Sequence, residues 1–429
     1  MTDPVDDLAA YLTASPSPWH AAAETARRLT AAGYRELDER EPWTVEAGDR
    51  VFVRRGGASL AAFQIGLNPP SESGFRLVGA HTDSPNLRVK PQADLEQQQV
   101  HQLAVEPYGG VLLHTWLDRD LGIAGRVFVE GAEGLEVRLI DVPEPVARVS
   151  SLAIHLNRKV NSEGLLLNKQ LHMPPMIALV GETAFTFDGW LADRLGVEAA
   201  ALRGRDLGLY DLTPPARGGA RGELFFSGRL DNLASCHAGL LALLSADETA
   251  IDGTRGIVLY DHEEVGSQSA QGADGPFLAE TLARLAHALD QRADAPARAL
   301  ARSFLISADM AHAAHPNYGE QHEPGHLPRL GAGPVIKSNV NQRYATDAES
   351  VARFVAWCAA VDVTPQHFVT RSDLACGSTI GPITAGRLGV RTIDVGNPML
   401  SMHSAREMCG AEDHGPMIAV MTRFFTTDD

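Results

Sequence analysis

The sequence predicts an α/β protein: a mixed sheet with helices on both faces, interrupted by an inserted β-rich domain. Three observations carry that expectation. Four separate stretches run from a short apolar segment straight into small, polar and ionisable residues, as buried strands do where they end in a loop. Between the first of these and the rest lies a long region of different character, with strand-like runs and Pro/Gly breaks. Finally, 429 residues with 44% hydrophobic and 21% charged side chains suffice for two or three domains and a sizeable core.

Taken in order, Phe75-Arg-Leu-Val-Gly-Ala80 leads into His81-Thr-Asp-Ser-Pro85, and Gly256-Ile-Val-Leu-Tyr260 into Asp261-His-Glu-Glu264. Phe304-Leu-Ile-Ser307 leads into Ala308-Asp309, and Val390-Arg-Thr-Ile-Asp-Val395 into a Gly/Pro loop that reaches His403. A fifth segment differs: Gly228-Arg-Leu-Asp231 opens onto Asn232 through Leu244, apolar and of helical length. Ligands of open α/β sheets sit beyond the carboxyl ends of the strands, so these segments point to one site. His81 and Asp231 lie about 150 residues apart. In the interval, Arg126–Glu130 and Leu135–Asp141 read as strands, with breaks at Pro174-Pro175 and from Pro214 to Gly222. The expected division is therefore 1–86 and 226–429 for the catalytic domain and 87–225 for the insert. The stretch from Ala283 to Arg302 reads as a solvated helix with a loop.

Several function classes drop out. No run of eighteen apolar residues predicts a membrane helix, and the acidic start, Met1 to Asp7, is not a signal peptide. Cys236, Cys358, Cys376 and Cys409 are scattered, which argues against a disulfide framework or zinc knot and points to the cytoplasm. The net charge of −17 argues against nucleic acid as a partner.

The residues at the strand ends carry the chemistry. A metal-bound histidine usually gives its second ring N–H to a carboxylate, and Asp83 is placed to serve His81 that way; alone, His81 reads equally as a hydrogen-bonded loop histidine. Adjacent Glu263 and Glu264 after a buried strand repel one another and lose solvation, a cost that a cation offsets. Asp231, taken alone, is a good helix N-cap, and Asp309 and His403 carry no partner in sequence. Together, His81, Asp231, Glu264, Asp309 and His403 make two imidazoles and three carboxylates. That set suits two divalent ions, with zinc the leading choice and manganese or cobalt as alternatives. Of the two adjacent glutamates, one can then ligate metal while its neighbour takes a proton from metal-bound water.

Two patterns mislead. His322-Glu-Pro-Gly-His326 matches the H-E-x-x-H zincin motif in letters, but that motif needs a continuous helix, which proline and glycine break. His312 and His315 read as loop residues near Asp309. No G-x-S-x-G elbow offers a serine nucleophile.

The segments Ala80–Pro85, Ser227–Asn232, Asp261–Ser267 and Met402–Glu407 resemble those of the aspartyl aminopeptidases, as do Tyr108–Gly110, Trp116–Asp120, Leu152–Leu156 and Asn339–Tyr344. The resemblance spans essentially the whole chain. It implies an α/β metallopeptidase domain with an inserted dimerisation domain, and homo-oligomers that are dodecamers built from dimers. It implies peptide substrates with an acidic N-terminus, Asp or Glu. By the same resemblance Asp231 bridges two metals, His81 and Asp309 hold one, and Glu264 and His403 hold the other. Glu263 is the implied general base, Asp83 orients His81, His155 reaches a neighbouring subunit's site, and Lys337 lies near the acidic pocket. Holding a carboxylate side chain in a partly dry pocket needs a cation or several hydrogen-bond donors, and Lys337 and Arg343 are the nearby candidates. Two rival expectations are a two-metal deacylase or amidase of other specificity and a shell-forming scaffold.

Overall fold

The computed structural model describes residues 3–246 and 252–427; Met1 and Thr2, where the acidic N-terminal reading begins, lie outside the described residues. By contacts the chain divides into two compact units. One comprises Met1–Asp83, Pro215–Met402 and Glu407–Asp429; the other comprises Ser84–Pro214 and His403–Arg406.

The first unit is built on a nine-stranded mixed sheet. Its centre is Thr254–Tyr260, Phe75–His81, Phe304–Ala308 and Arg391–Gly396, adjacent and mutually parallel. These are the four runs expected from sequence. Being parallel, they present their carboxyl ends at one edge of the sheet. Alternation along each strand then sorts side chains between two faces. Val78, Ala80, Ile257, Leu259 and Ile306 join one apolar cluster, whereas Phe75, Leu77, Val258, Tyr260 and Leu305 join another.

Helices cover both faces. The helices Leu230–Ser245 and His414–Thr426 contribute to the first cluster, and Phe277–Leu289 and Ala295–Arg302 to the second. The helix Leu230–Ser245 is buried on nearly every side, which explains its almost continuous apolar sequence. Gly239 lets it approach the sheet, because a Cβ there would stand 3.1 Å from Val78 Cγ1. The Ala283–Arg302 stretch is less solvated than its composition suggested. It forms the end of one helix, a loop and a second helix, with Leu285, Ala286 and Ala299 buried. The buried apolar residues recur at helical spacing, and even two of the charged residues are held by the fold, Asp290 accepting from Ser71 Oγ and Arg284 lying over the Trp43 ring.

The second unit is a six-stranded antiparallel sheet ordered Gly134–Ala147, Leu121–Gly131, Leu202–Asp211, Asn86–Gln97, Val100–Tyr108 and Met176–Leu179. The two strands read from sequence form its longest hairpin, closing at Gly131 opposite Gly134. Val127 and Val129 face a core that includes Trp116 and Phe187, while Leu135, Val137 and Leu139 stay exposed. Thr186 caps the helix Phe187–Leu195 on Gly189 N–H, and left-handed Gly196 ends it. Among the described residues, no helix is long and apolar enough to cross a membrane.

Candidate metal centre

His81 is the last residue of its strand and is buried. Its Nδ1 lies 3.0 Å from the Asp83 carbonyl and 3.4 Å from Asp83 Oδ1. An Nδ1–H donated there leaves the Nε2 lone pair pointing away. Nε2 faces Asp231 Oδ1 and Asp309 Oδ1, each at 3.5 Å, with Glu263 Oε2 at 4.0 Å.

Each carboxylate is delivered by a defined local structure. Glu263 and Glu264 begin a single 3-10 turn after left-handed His262, three and four residues past the sheet. Asp83 holds that turn as well, accepting from Glu263 N–H at 3.2 Å and Glu264 N–H at 3.1 Å. One buried carboxylate therefore orients the histidine and fixes both glutamates, a double role the sequence reading did not assign. Asp231 is not the N-cap that its position suggested in isolation. Arg229 stands before the first helical residue, and Asp231 lies at a kink in the first turn with its carboxylate turned to His81. The turn is held by Glu407 Oε2, which accepts from Asp231 N–H at 3.2 Å, and by Asn232 Nδ2, which donates to the Ala308 carbonyl at 2.8 Å. Asp309 follows the strand Phe304–Ala308, and its N–H donates to the Val395 carbonyl at 2.9 Å. Gly396 permits that crossing, since a Cβ there would overlap the Asp309 carbonyl.

So dense a set of buried acids is electrostatically costly. Burial, with Asp309, Asp83 and Asp231 nearby and His81 opposing, raises the Glu263 pKa to about 8. Burial and then Asp231 push Glu264 well above the usual carboxylate range. Burial disfavours a charged His81, but Asp231, Asp309 and Asp83 outweigh it and hold the ring's pKa well above the ordinary value. The protein alone must take up protons to tolerate this arrangement, and divalent cations remove the need. Among the described residues of the first unit, two ligand groupings have every donor atom within 4.8 Å of the others: His81 with Asp231 and Asp309, and His81 with Glu263 and Glu264. The residues fit a metal site.

The remaining candidates sit as follows. Lys337 is 2% exposed, with Nζ 3.4 Å from Asp309 Oδ2, 3.3 Å from the Met310 carbonyl and 5.2 Å from the Tyr344 ring centre. Arg343 is exposed, and its Nε donates to the Gly377 carbonyl. In the second unit, His403 has φ 68 and Nδ1 3.1 Å from the Gly110 carbonyl. Gly110 leaves room for that ring, because a Cβ would stand 2.9 Å from Nδ1. His155 is exposed in a turn of the second unit. The zincin-like letters form no helix: Glu323 folds back on Gly325 N–H and His326 Nδ1, and His322 accepts from His315 N–H. His312 ends a two-residue strand, its ring 5.6 Å from that of Phe368. Sequence reasoning passed over Glu407 and Asn232 as supports of Asp231, although both lie inside the segments that carried the resemblance.

A mixed sheet whose parallel centre gathers a histidine and several carboxylates at its carboxyl edge fits a metal-dependent hydrolase of the α/β type. The family model described as aminopeptidase I zinc metalloprotease (M18) matches residues 11–425. A probable M18 family aminopeptidase 2 from Stutzerimonas stutzeri is 50% identical, covering 97% of this chain and 96% of its own. One from Pseudomonas fluorescens strain SBW25 is 49% identical, covering 98% and 97%. Among solved structures, that of the Ape4 and Nbr1 complex aligns with TM-score 0.95 and 37% identity, over 99% of this chain and 85% of that one. The S. cerevisiae mApe1 dodecamer aligns with TM-score 0.87 and 28% identity, over 99% and 97%. The chain belongs to the M18 family, the aspartyl aminopeptidase family. It is a metalloaminopeptidase, and the family's metal is zinc.

Proposed function

We propose that this aminopeptidase removes N-terminal Asp or Glu from peptides, using two divalent ions of which zinc is the leading choice. His81 and Asp309 would hold one ion and Glu264 and His403 the other, with Asp231 between them. The observation that carries this reading is the buried His81 Nε2 with three carboxylates within 4.0 Å. When bound, the ions supply Lewis-acid polarisation of the scissile carbonyl and lower the pKa of water.

Glu263 takes the proton of the attacking water and returns it to the leaving amine. Its raised pKa and its place beside His81 Nε2 support that role. Asp83 keeps His81 in one tautomer and Glu263 in reach. For the acidic side chain, Lys337 offers a buried ammonium one residue from the end of its strand, and Arg343 an exposed guanidinium on the following loop.

We take 87–225 as a dimerisation insert between catalytic segments 1–86 and 226–429, and the assembly as a dodecamer built from dimers, with His155 reaching the neighbouring subunit's site. Support comes from the dodecameric relative and from exposed apolar residues of the second unit, among them Leu152, Leu156, Leu166 and Leu171. Four free thiols favour the cytoplasm.

The test is hydrolysis of Asp, Glu, Leu, Ala and Lys chromogenic substrates, with and without chelator and with zinc or manganese restored. Chelator-sensitive cleavage confined to Asp and Glu is expected. Preferential cleavage of Leu or Lys would overturn the acidic specificity.

A further inference from the structure

Asp394 is a fully buried carboxylate in the strand Arg391–Gly396 with no place in the chemistry above. Burial raises its pKa, yet Lys337, Ser307, Thr379 and the Ala345 N–H all favour its charged form. Its bonds are arranged by destination. Oδ1 accepts from Ser307 Oγ at 2.6 Å, which ties it to the strand leading to Asp309. Oδ1 also accepts from Thr379 Oγ1 at 2.5 Å, and Oδ2 from Ala345 N–H at 2.6 Å. The Asp394 N–H donates to Thr346 Oγ1 at 3.0 Å. One residue thus grips two loops, 339–347 and 370–379, from beneath.

Those loops wall a cavity of about 200 Å³ whose lining includes His312, Tyr344, Phe368, Arg371 and Gly377. Tyr344 precedes tethered Ala345, and Gly377 lies two residues before tethered Thr379. The loops are also stitched to each other, by Arg343 Nε donating to the Gly377 carbonyl and Ser378 Oγ donating to the Arg343 carbonyl. Tyr344 links the cavity wall to the candidate ligand Asp309 by way of Lys337, whose ammonium lies 5.2 Å from the Tyr344 ring centre and 3.4 Å from Asp309 Oδ2.

We propose that Asp394 is a positioning residue for substrate: by anchoring both loops it fixes the width of the side-chain cavity, and so governs KM without touching the peptide. Its carboxylate suits the task because a single acceptor group serves two hydroxyls and a backbone N–H. This inference rests on the aminopeptidase reading of the neighbouring cluster, not on acidic specificity.

Asp394→Asn is nearly isosteric but removes the charge and turns one acceptor oxygen into a donor, so the charge-assisted bonds weaken and the hydroxyls keep their contacts only by turning to accept. The zinc-loaded full-length enzyme is assayed on whichever aminoacyl substrate the wild type prefers. The expected result is a KM raised about tenfold with kcat within about twofold, the signature of lost ground-state and transition-state binding alike. Zinc content should be unchanged. Thr379→Val should raise KM in the same direction, and Thr379→Ser, which keeps the hydroxyl, should restore it. If Asp394→Asn folds poorly, the Thr379 pair carries the test. An unchanged KM, or a kcat loss at constant KM, overturns the proposal. A wild-type preference for a neutral or basic substrate overturns acidic specificity and leaves this inference standing.

Discussion

Glu263 and Glu264 share a half-buried turn crowded by other acids, so proton uptake becomes a measurable property of the metal-free protein. A carboxyl whose folded pKa exceeds its unfolded value binds a native-state proton that the unfolded chain lacks. Its stabilising contribution is complete below the unfolded pKa and is lost as pH rises through the folded one. For Glu263 that loss runs up to about 8, and the raised His81 contributes with the same sign above its ordinary value. Metal-free protein should therefore lose stability as pH rises from about 4.5 to 8, more steeply above about 6.5 where His81 joins, by up to roughly 1.4 kcal/mol per pH unit for each proton of difference between the folded and unfolded states. Glu263→Gln should flatten that slope, keep full zinc content and lower kcat by about 10²–10⁴. Thermal melts across the pH range, elemental analysis and turnover read the three effects. Near-normal kcat in this variant would remove Glu263 from the proton-transfer role.

At the scale of elements, the four central strands were legible because a parallel strand covered on both faces must be apolar along its length. The change to His81, Asp309 and Glu263-Glu264 marks where that cover stops. Tertiary tethers left weaker signals. Asp231 resembled a cap because a carboxylate before a helix ordinarily caps it; nothing local reveals that Glu407, 176 residues on, holds its N–H elsewhere. The docking of the first helix, Pro4–Thr13, was equally hidden. Asp7 accepts from Arg28 at 2.8 Å and lies 2.9 Å from His237 Nε2, while His237 Nδ1 lies 2.8 Å from His414 Nε2. With Nε2–H donated to Asp7, Nδ1 must accept from His414, so four helices share one polar chain. Burial lowers the pKa of both imidazoles, with Asp7 opposing. Their contribution is present at neutral pH and is lost as pH falls below about 6.5. Asp7→Ala strands a buried donor and should cost about 1–3 kcal/mol in urea unfolding, with zinc content unchanged. A loss below about 0.5 kcal/mol would mean that water replaces the carboxylate.

For the whole molecule, composition and exposure pull in opposite directions. A chain of net charge −17 repels copies of itself, yet the β-rich unit exposes apolar side chains that a monomer has no use for. Leu135, Val137 and Leu139 recur at every second residue of Gly134–Ala147, so they share one face of an edge strand. Natural proteins protect such edges with charge or bury them against a partner, and the exposed leucines between 150 and 172 add further apolar surface within the same unit. Val137 is 57% exposed and, as an edge residue, contributes little to its own unit's core. Val137→Lys should therefore leave the subunit folded while placing an unpaired charge in the contact. In sedimentation velocity the wild type should run as a large assembly, strengthened as salt rises from about 20 to 150 mM and screens the net charge. The variant should shift to smaller species, with circular dichroism and zinc content unchanged. A wild type that sediments as a monomer at micromolar concentration would leave the exposed face without its proposed partner and overturn the dodecamer. A variant that assembles normally would move the contact away from this strand, toward the leucines of the 150–172 segment.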